Sequence, residues 1–138
     1  MGALEHCRLI DLPRIADPRG HLTFIEGSRH VPFEIARVYY LYETPEGAER
    51  GGHAHRRLEQ LVIPLAGSFD VLLDDGTERR TICLARPDRG LYIGTMVWRE
   101  LARFTAGAVC LVLASLPYDE ADYYRDYDGF LQAVRGSQ

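Results

Sequence analysis

"EQLVIPLAGSFDVLLDDGTERRTICLA", residues 59–85, decides the class of fold. Its apolar runs LVIPLA, FDVLL and TICLA are separated by Gly67-Ser68 and by Asp74-Asp75-Gly76. An Asp-Gly pair flanked by apolar runs is a hairpin signal, so 68–76 and 78–85 read as antiparallel neighbours. Pro64 has no N–H for a strand ladder and implies an edge position or a bulge within 59–67. Working outward, HLTFIEG (21–27) follows the turn-like DPRG (17–20), and ARVYYLYE (36–43) ends at TPEGAERGG. LYIGTMVWREL (91–101) follows RPDRG (86–90), and GAVCLVLASLP (107–117) suits a strand buried on both faces. Roughly eight short strands with closely spaced turns predict a sandwich or barrel rather than alternating β-α units. Closing that barrel removes exposed strand edges. The tail, YDEADYYRDYDGFLQAV (118–134), changes period: Asp119 suits an N-cap, Glu120 and Asp122 the first turn, and a short C-terminal helix is expected over about 119–134.

The chain has 138 residues, enough for one domain over 1–138 with its barrel at about 20–116 and a core that needs no disulfide staples. Its net charge is -4, and all 16 basic residues are arginine. That balance argues against a general nucleic-acid binder, which needs basic excess, but allows a small anionic ligand held by a few local arginines. The three cysteines, Cys7, Cys83 and Cys110, form no CxxC pair and read as reduced, with Cys83 and Cys110 as small core residues. No apolar run approaches the ~20 residues that span a bilayer. MGALEHCRLI is too short and too charged for a secretory signal, so the expected compartment is the cytoplasm, with no membrane partner.

Chemistry concentrates in RGGHAHRRLEQ (50–60). Residues two apart on a strand share a face, so His53 and His55 point the same way, and Glu59 joins them if the strand runs on unbroken. Gly51 and Gly52 permit close backbone approach or positive φ. Gly47-x5-His53-x-His55-x3-Glu59-x7-Gly67 is close to the first motif of cupins, whose small barrels often bind a metal through two His, a Glu and a later His. No histidine follows His55; His6, His21 and His30 all precede the motif. Two His and a carboxylate can still hold iron at an open site. The acid/base reading needs less: imidazole titrates near ~6.5, and two of them can divide the proton transfers of an enolisation.

ARVYYLYETPEGAERGGHAHRRLEQLVIPLAGSFDVLLDDG, then GLYIGTMVWREL, then LVLASLPYDEADYYRDYDGF resemble the dTDP-4-keto-6-deoxyhexose 3,4-ketoisomerases, WxcM-like nucleotide-sugar isomerases. The resemblance covers about residues 17–134. It implies an all-β cupin fold, an RmlC-like jelly-roll barrel, acting without metal or other cofactor on a dTDP-linked 4-keto-6-deoxy sugar. It makes His53 and His55 the catalytic pair, assisted by Tyr39, which alternation puts on the face of Arg37 and away from Tyr40. Arg50 is placed to meet the diphosphate, Tyr92 and Trp98 to stack on a base or line the pocket, and Glu59 to orient a histidine or a sugar hydroxyl. Arg19 lies in the N-terminal segment that members exchange between subunits or use to line the site, and the resemblance implies a homodimer. Where members carry VWHE this chain has Arg99 after Trp98; alternating away from Trp98, it is expected to face solvent or a partner subunit.

The chemistry so implied removes the C3 proton beside the C4 ketone, with His53 as carbon base and His55 and Tyr39 moving protons between O3 and O4. A dTDP-sugar 3,5-epimerase and a metal-dependent cupin dioxygenase are the competing enzymes. A non-catalytic sugar binder has no need of two aligned imidazoles.

Overall fold

Apolar residues alternate along most strands, and both faces of the sheets they build are partly covered. The computed structural model describes residues 2–136; Met1, Ser137 and Gln138, the ends of the expected domain, lie outside the described residues. The strands are β1 (Arg8–Asp11), β2 (Arg14–Asp17), β3 (Gly20–Thr23), β4 (Arg37–Leu41), β5 (Arg50–His55), β6 (Gln60–Ala66), β7 (Phe69–Asp74), β8 (Arg79–Leu84), β9 (Arg89–Ile93), β10 (Trp98–Ala102), β11 (Val109–Ala114) and β12 (Tyr123–Tyr124). One α-helix, α1 (Tyr127–Gly136), follows.

Two five-stranded antiparallel sheets carry the fold, in the orders β1-β9-β6-β11-β4 and β12-β5-β10-β7-β8, with β2-β3 as a separate hairpin. The all-β class with a short C-terminal helix is the one expected, built as two packed sheets. Between the sheets lie Val62, Phe69, Val71, Leu73, Leu91, Ile93, Leu101, Phe104 and Val112. Each such side chain contributes about 1.5–3 kcal/mol on burial. On the outer face of the first sheet, Leu61, Ile63 and Leu113 pack under Val31 and Phe33. On the outer face of the second, Ala54 and Trp98 pack under Phe130 of α1.

The hairpin at Asp74-Asp75-Gly76 forms as expected. Asp75 accepts from the Thr77 and Glu78 amides at 2.9 and 2.8 Å, and Gly76 has φ +93°. The register between β6 and β11 slips beside Pro64, the bulge that proline implied. Three expectations need correction. The segment 91–101 is two strands in different sheets, because the chain turns at Gly94–Val97 with Met96 at φ +60°. The helix begins at Tyr127; Asp119 does cap, accepting from the Ala121 amide, but it caps a short 3-10 turn over Glu120–Asp122 that leads into β12. Cys83 is exposed on the edge strand β8, while Cys7 and Cys110 are buried.

One irregularity aims the site. In the β5–β10 pair, His53 stands opposite Arg99 and Arg50 opposite Leu101, so Gly51 and Gly52 together face Glu100. This bulge brings Arg50 and His53, an odd number of residues apart, to the same side. Gly51 has φ +91°, and a Cβ there would meet Leu101 at 3.4 Å. Gly51→Val is therefore expected to cost about 1–3 kcal/mol. It should also turn Arg50 away. A lower melting temperature together with a raised KM checks this; an unchanged pair of values contradicts it.

Candidate active site

His53 and His55 project from β5 into the space between the sheets, and Ala54 between them points outward beneath Phe130. Their rings meet edge to face, centroids 4.8 Å apart. Tyr123 of β12, paired with His55 in the ladder, lies 4.3 Å from the His55 ring and 5.3 Å from the His53 ring. From the facing sheet, β4 contributes Arg37, Tyr39 and Leu41, while Tyr40 is exposed on the other face, as alternation required. Together they line a cavity of about 390 Å³ with Arg50, His53, Tyr123 and Arg125 on its wall. His55 sits one layer deeper, fully buried.

Asp122 fixes His55. Its Oδ2 lies 3.2 Å from His55 Nδ1, and the same carboxylate accepts from the backbone amides of Arg57 and Leu58 at 2.8 and 3.2 Å. Held this way, Nδ1 carries the proton and Nε2 is left bare; Nε2 of both histidines is buried without a partner. Burial, then the nearby Arg99 charge, pushes both imidazoles down to about 3, so both are neutral at physiological pH.

This has a consequence for stability. An unfolded histidine takes up its proton near pH ~6.5, and the folded pair resists it down to about 3. The pair's contribution is therefore present above pH 6.5 and is lost as pH falls between those limits, by about 1.4 kcal/mol per pH unit for each proton. The melting temperature should fall across that window, and the fall should be shallower in the His53→Asn, His55→Asn double variant. A slope identical to wild type in that variant contradicts the assignment.

Arg99 is the largest departure from expectation. It is 3% exposed, inside the fold, not facing solvent or a partner. The alternation with Trp98 holds; what differs is which face Trp98 occupies. Trp98 lies outside, 5.4 Å from the Tyr127 ring and 6.0 Å from Phe130, its indole donating to Glu100 at 2.9 Å. Arg99 therefore turns inward beside His53. Its guanidinium donates to Gln60 Oε1 at 2.6 Å and to the Val97 carbonyl at 3.0 and 3.2 Å. Burial pushes its pKa down to about 10, which leaves it charged.

The structure thus gathers His53, His55, Tyr39, Arg37 and Arg50 at one place. It does not bring Glu59, Tyr92, Trp98 or Arg19 to that cavity. The strand breaks after His55, and the chain crosses to the first sheet before β6 begins, so Gln60 takes the inward position expected of Glu59. Glu59 instead accepts from the Tyr92 hydroxyl, among the residues that pack outside the first sheet. Arg19 is exposed on the β2–β3 turn, paired with Asp17 at 2.8 Å. Among the described residues no cluster of His, Cys, Asp and Glu is arranged to hold a metal. Gln60, Asp122, Tyr123 and Arg125 are not among the site residues expected from the sequence; the last three lie in a stretch that reads there as helix.

Arg37 leaves Nε and Nη2 buried and without partners, and its charge lies 5.3 Å from the Tyr39 ring and 5.7 Å from Tyr118. Arg125 stacks 4.1 Å over Tyr123 and is held by Glu120 at 2.6 and 2.9 Å. The cavity therefore presents the His53 imidazole, with His55 behind it, and two phenols, Tyr39 and Tyr123, within a ring of three arginines.

The chain is similar to known proteins along nearly its whole length. The family profile described as "FdtA: WxcM-like, C-terminal" matches residues 5–135. A curated relative, the TDP-4-oxo-6-deoxy-alpha-D-glucose-3,4-oxoisomerase of Aneurinibacillus thermoaerophilus, is 46% identical over 127 residues, 92% of this chain and 91% of its own. The crystal structure of QdtA, a sugar 3,4-ketoisomerase from Thermoanaerobacterium thermosaccharolyticum in complex with TDP, is 46% identical with a TM-score of 0.94, covering 97% of this chain and 98% of that one. A mutant of the same enzyme, solved in complex with TDP-4-keto-6-deoxyglucose, is 45% identical with a TM-score of 0.92, covering 94% of each chain.

Proposed function

The chain belongs to the FdtA family of WxcM-like, C-terminal domains, and from that premise we propose that it converts TDP-4-keto-6-deoxyglucose to a TDP-linked 3-keto-6-deoxyhexose. It is an isomerase: the ketone moves from C4 to C3 with no net redox change. The observation that carries the reading at residue level is the unpartnered His53 Nε2 and the Tyr39 hydroxyl, brought from facing sheets to one cavity that three arginines also line.

The C3 proton is acidified by the adjacent C4 carbonyl. His53 removes it, and Tyr39 gives its proton to O4, leaving an enediol. Tyr39 then recovers a proton from O3, and the imidazolium of His53 returns its proton to C4. His55, held by Asp122, offers a second bare nitrogen behind His53 for exchange of the oxygen protons. Arg37, Arg50 and Arg125 receive the diphosphate. Burial and then Arg99 hold the His53 imidazole down, and the diphosphate charge offsets the smaller contribution of Arg125, favouring the protonated form of His53. No step calls for a resident metal or nicotinamide. The dioxygenase alternative needs Glu59 beside the two histidines, and Glu59 is bonded to Tyr92 on the other side of the first sheet.

The functional unit is a homodimer that exchanges the β2–β3 hairpin. Ile15 and Leu22 on the hairpin, and Val38 and Tyr40 on the edge strand β4, are exposed apolar groups that a second copy would cover. Exchange would carry Arg19 to the partner's cavity. Sedimentation at twice the 15.6 kDa chain mass supports the dimer, and a monomer contradicts it. The cytoplasm remains the expected site, consistent with three free thiols and with no described helix long and apolar enough to cross a membrane. Proton NMR of the product formed from TDP-4-keto-6-deoxyglucose tests the reaction: a 3-keto sugar supports it, and inversion at C5 identifies an epimerase.

A further inference from the structure

Arg99 of β10, Gln60 of β6 and Tyr39 of β4 form one hydrogen-bonded line that crosses from one sheet to the other. The line has a direction. A guanidinium only donates, so the Gln60 oxygen must face Arg99, at 2.6 Å. The Gln60 Nε2 then faces Tyr39 Oη at 3.0 Å, and that nitrogen also only donates. Tyr39 Oη is therefore the acceptor, and its own proton is directed elsewhere. Gln60 and Arg99 are 2% and 3% exposed, so water does not relax the arrangement. A flipped amide would set donor against donor at Arg99, at about 1–3 kcal/mol for each unsatisfied buried group.

We propose that Gln60 is a positioning residue: held by Arg99, its amide fixes the Tyr39 hydroxyl as a donor aimed into the cavity, at a sugar oxygen of the substrate. This rests on the ketoisomerase reading above and assigns a part of it that the histidine pair leaves open, namely what sets the direction of oxygen protonation. As Tyr39 gives its proton to O4, the phenolate left behind keeps the Gln60 N–H bond and feels the Arg99 charge beyond it. When Tyr39 recovers a proton from O3 the line is restored, with nothing oxidised or reduced. Burial raises the Tyr39 pKa, and Gln60 and Arg99 both act against that rise.

Gln60→Glu tests the direction. A carboxylate still accepts from Arg99, but it also accepts from Tyr39, turning the hydroxyl proton away from the cavity. With melting temperature confirming the fold, kcat should fall about 10²-fold while KM stays within about threefold. In a Tyr39→Phe background the same substitution should cost less than about twofold, because the group it acts through is gone. A kcat within about threefold of wild type, or an equal loss in both backgrounds, overturns the proposal. Should Gln60→Glu fail to fold, Gln60→Asn, whose amide stops short of Tyr39, carries the same comparison. Carbon NMR of ring-labelled tyrosine in the ligand-free protein gives a readout independent of turnover. The Tyr39 signal, identified by its loss in Tyr39→Phe, should move in Gln60→Glu, and an unmoved signal overturns the line. A wild-type enzyme inert toward TDP-4-keto-6-deoxyglucose would instead refute the functional reading, and the line would be judged from that signal alone.

Discussion

Replacing His53 by Asn is expected to lower kcat by at least ~10²–10⁴-fold, the range that a general acid/base group typically supplies. His53 is the imidazole on the cavity wall, neutral through burial and the Arg99 charge, with a bare Nε2. Asparagine keeps a small polar group there but cannot accept the C3 proton. KM should change far less than kcat, since the arginines that hold the diphosphate are untouched. The fold should survive, because Nε2 of His53 has no internal partner to lose. Near-normal turnover in a folded His53→Asn protein sinks the assignment of the carbon base.

Asp122→Asn should be almost as severe for a different reason. An asparagine with its oxygen at the Oδ1 position still accepts from the Arg57 amide, while the Leu58 amide, which bonds Oδ2, loses its acceptor. Its nitrogen, facing His55 Nδ1, donates, and His55 must then accept there and carry its proton on Nε2. The nitrogen that was bare becomes protonated. We expect kcat to fall about 10²-fold or more, with nitrogen NMR of the labelled histidines reporting the exchange of protonated and bare positions in His55. An unchanged tautomer with unchanged turnover contradicts the role given to Asp122.

Much of the fold was legible. Turn residues marked the hairpin at Asp74–Gly76, Pro64 marked a bulge, and alternation placed Arg37 with Tyr39 and His53 with His55. What failed was parity carried across breaks in strands. Glu59 was counted on from His55 through a turn that exchanges sheets, so Gln60 stands inside instead. Tyr92 and Trp98 fall within 91–101, a segment that reads as a single strand. The turn at Gly94–Val97 separates them into different sheets. Both lie outside the cavity, and the position beside Trp98 is the inward one. Arg99, which alternates away from Trp98, is therefore inside rather than facing solvent or a partner. Asp122 and Tyr123 carried acidic and aromatic signals, but helical spacing hid the short strand that puts Tyr123 opposite His55.

The most direct measurement is conversion of TDP-4-keto-6-deoxyglucose in deuterated water, followed by proton NMR. Removal of the C3 proton by His53 and its return to C4 predicts a product with its ketone at C3 and the original proton at C5. Deuterium at C5, or a ketone that stays at C4, would contradict the account.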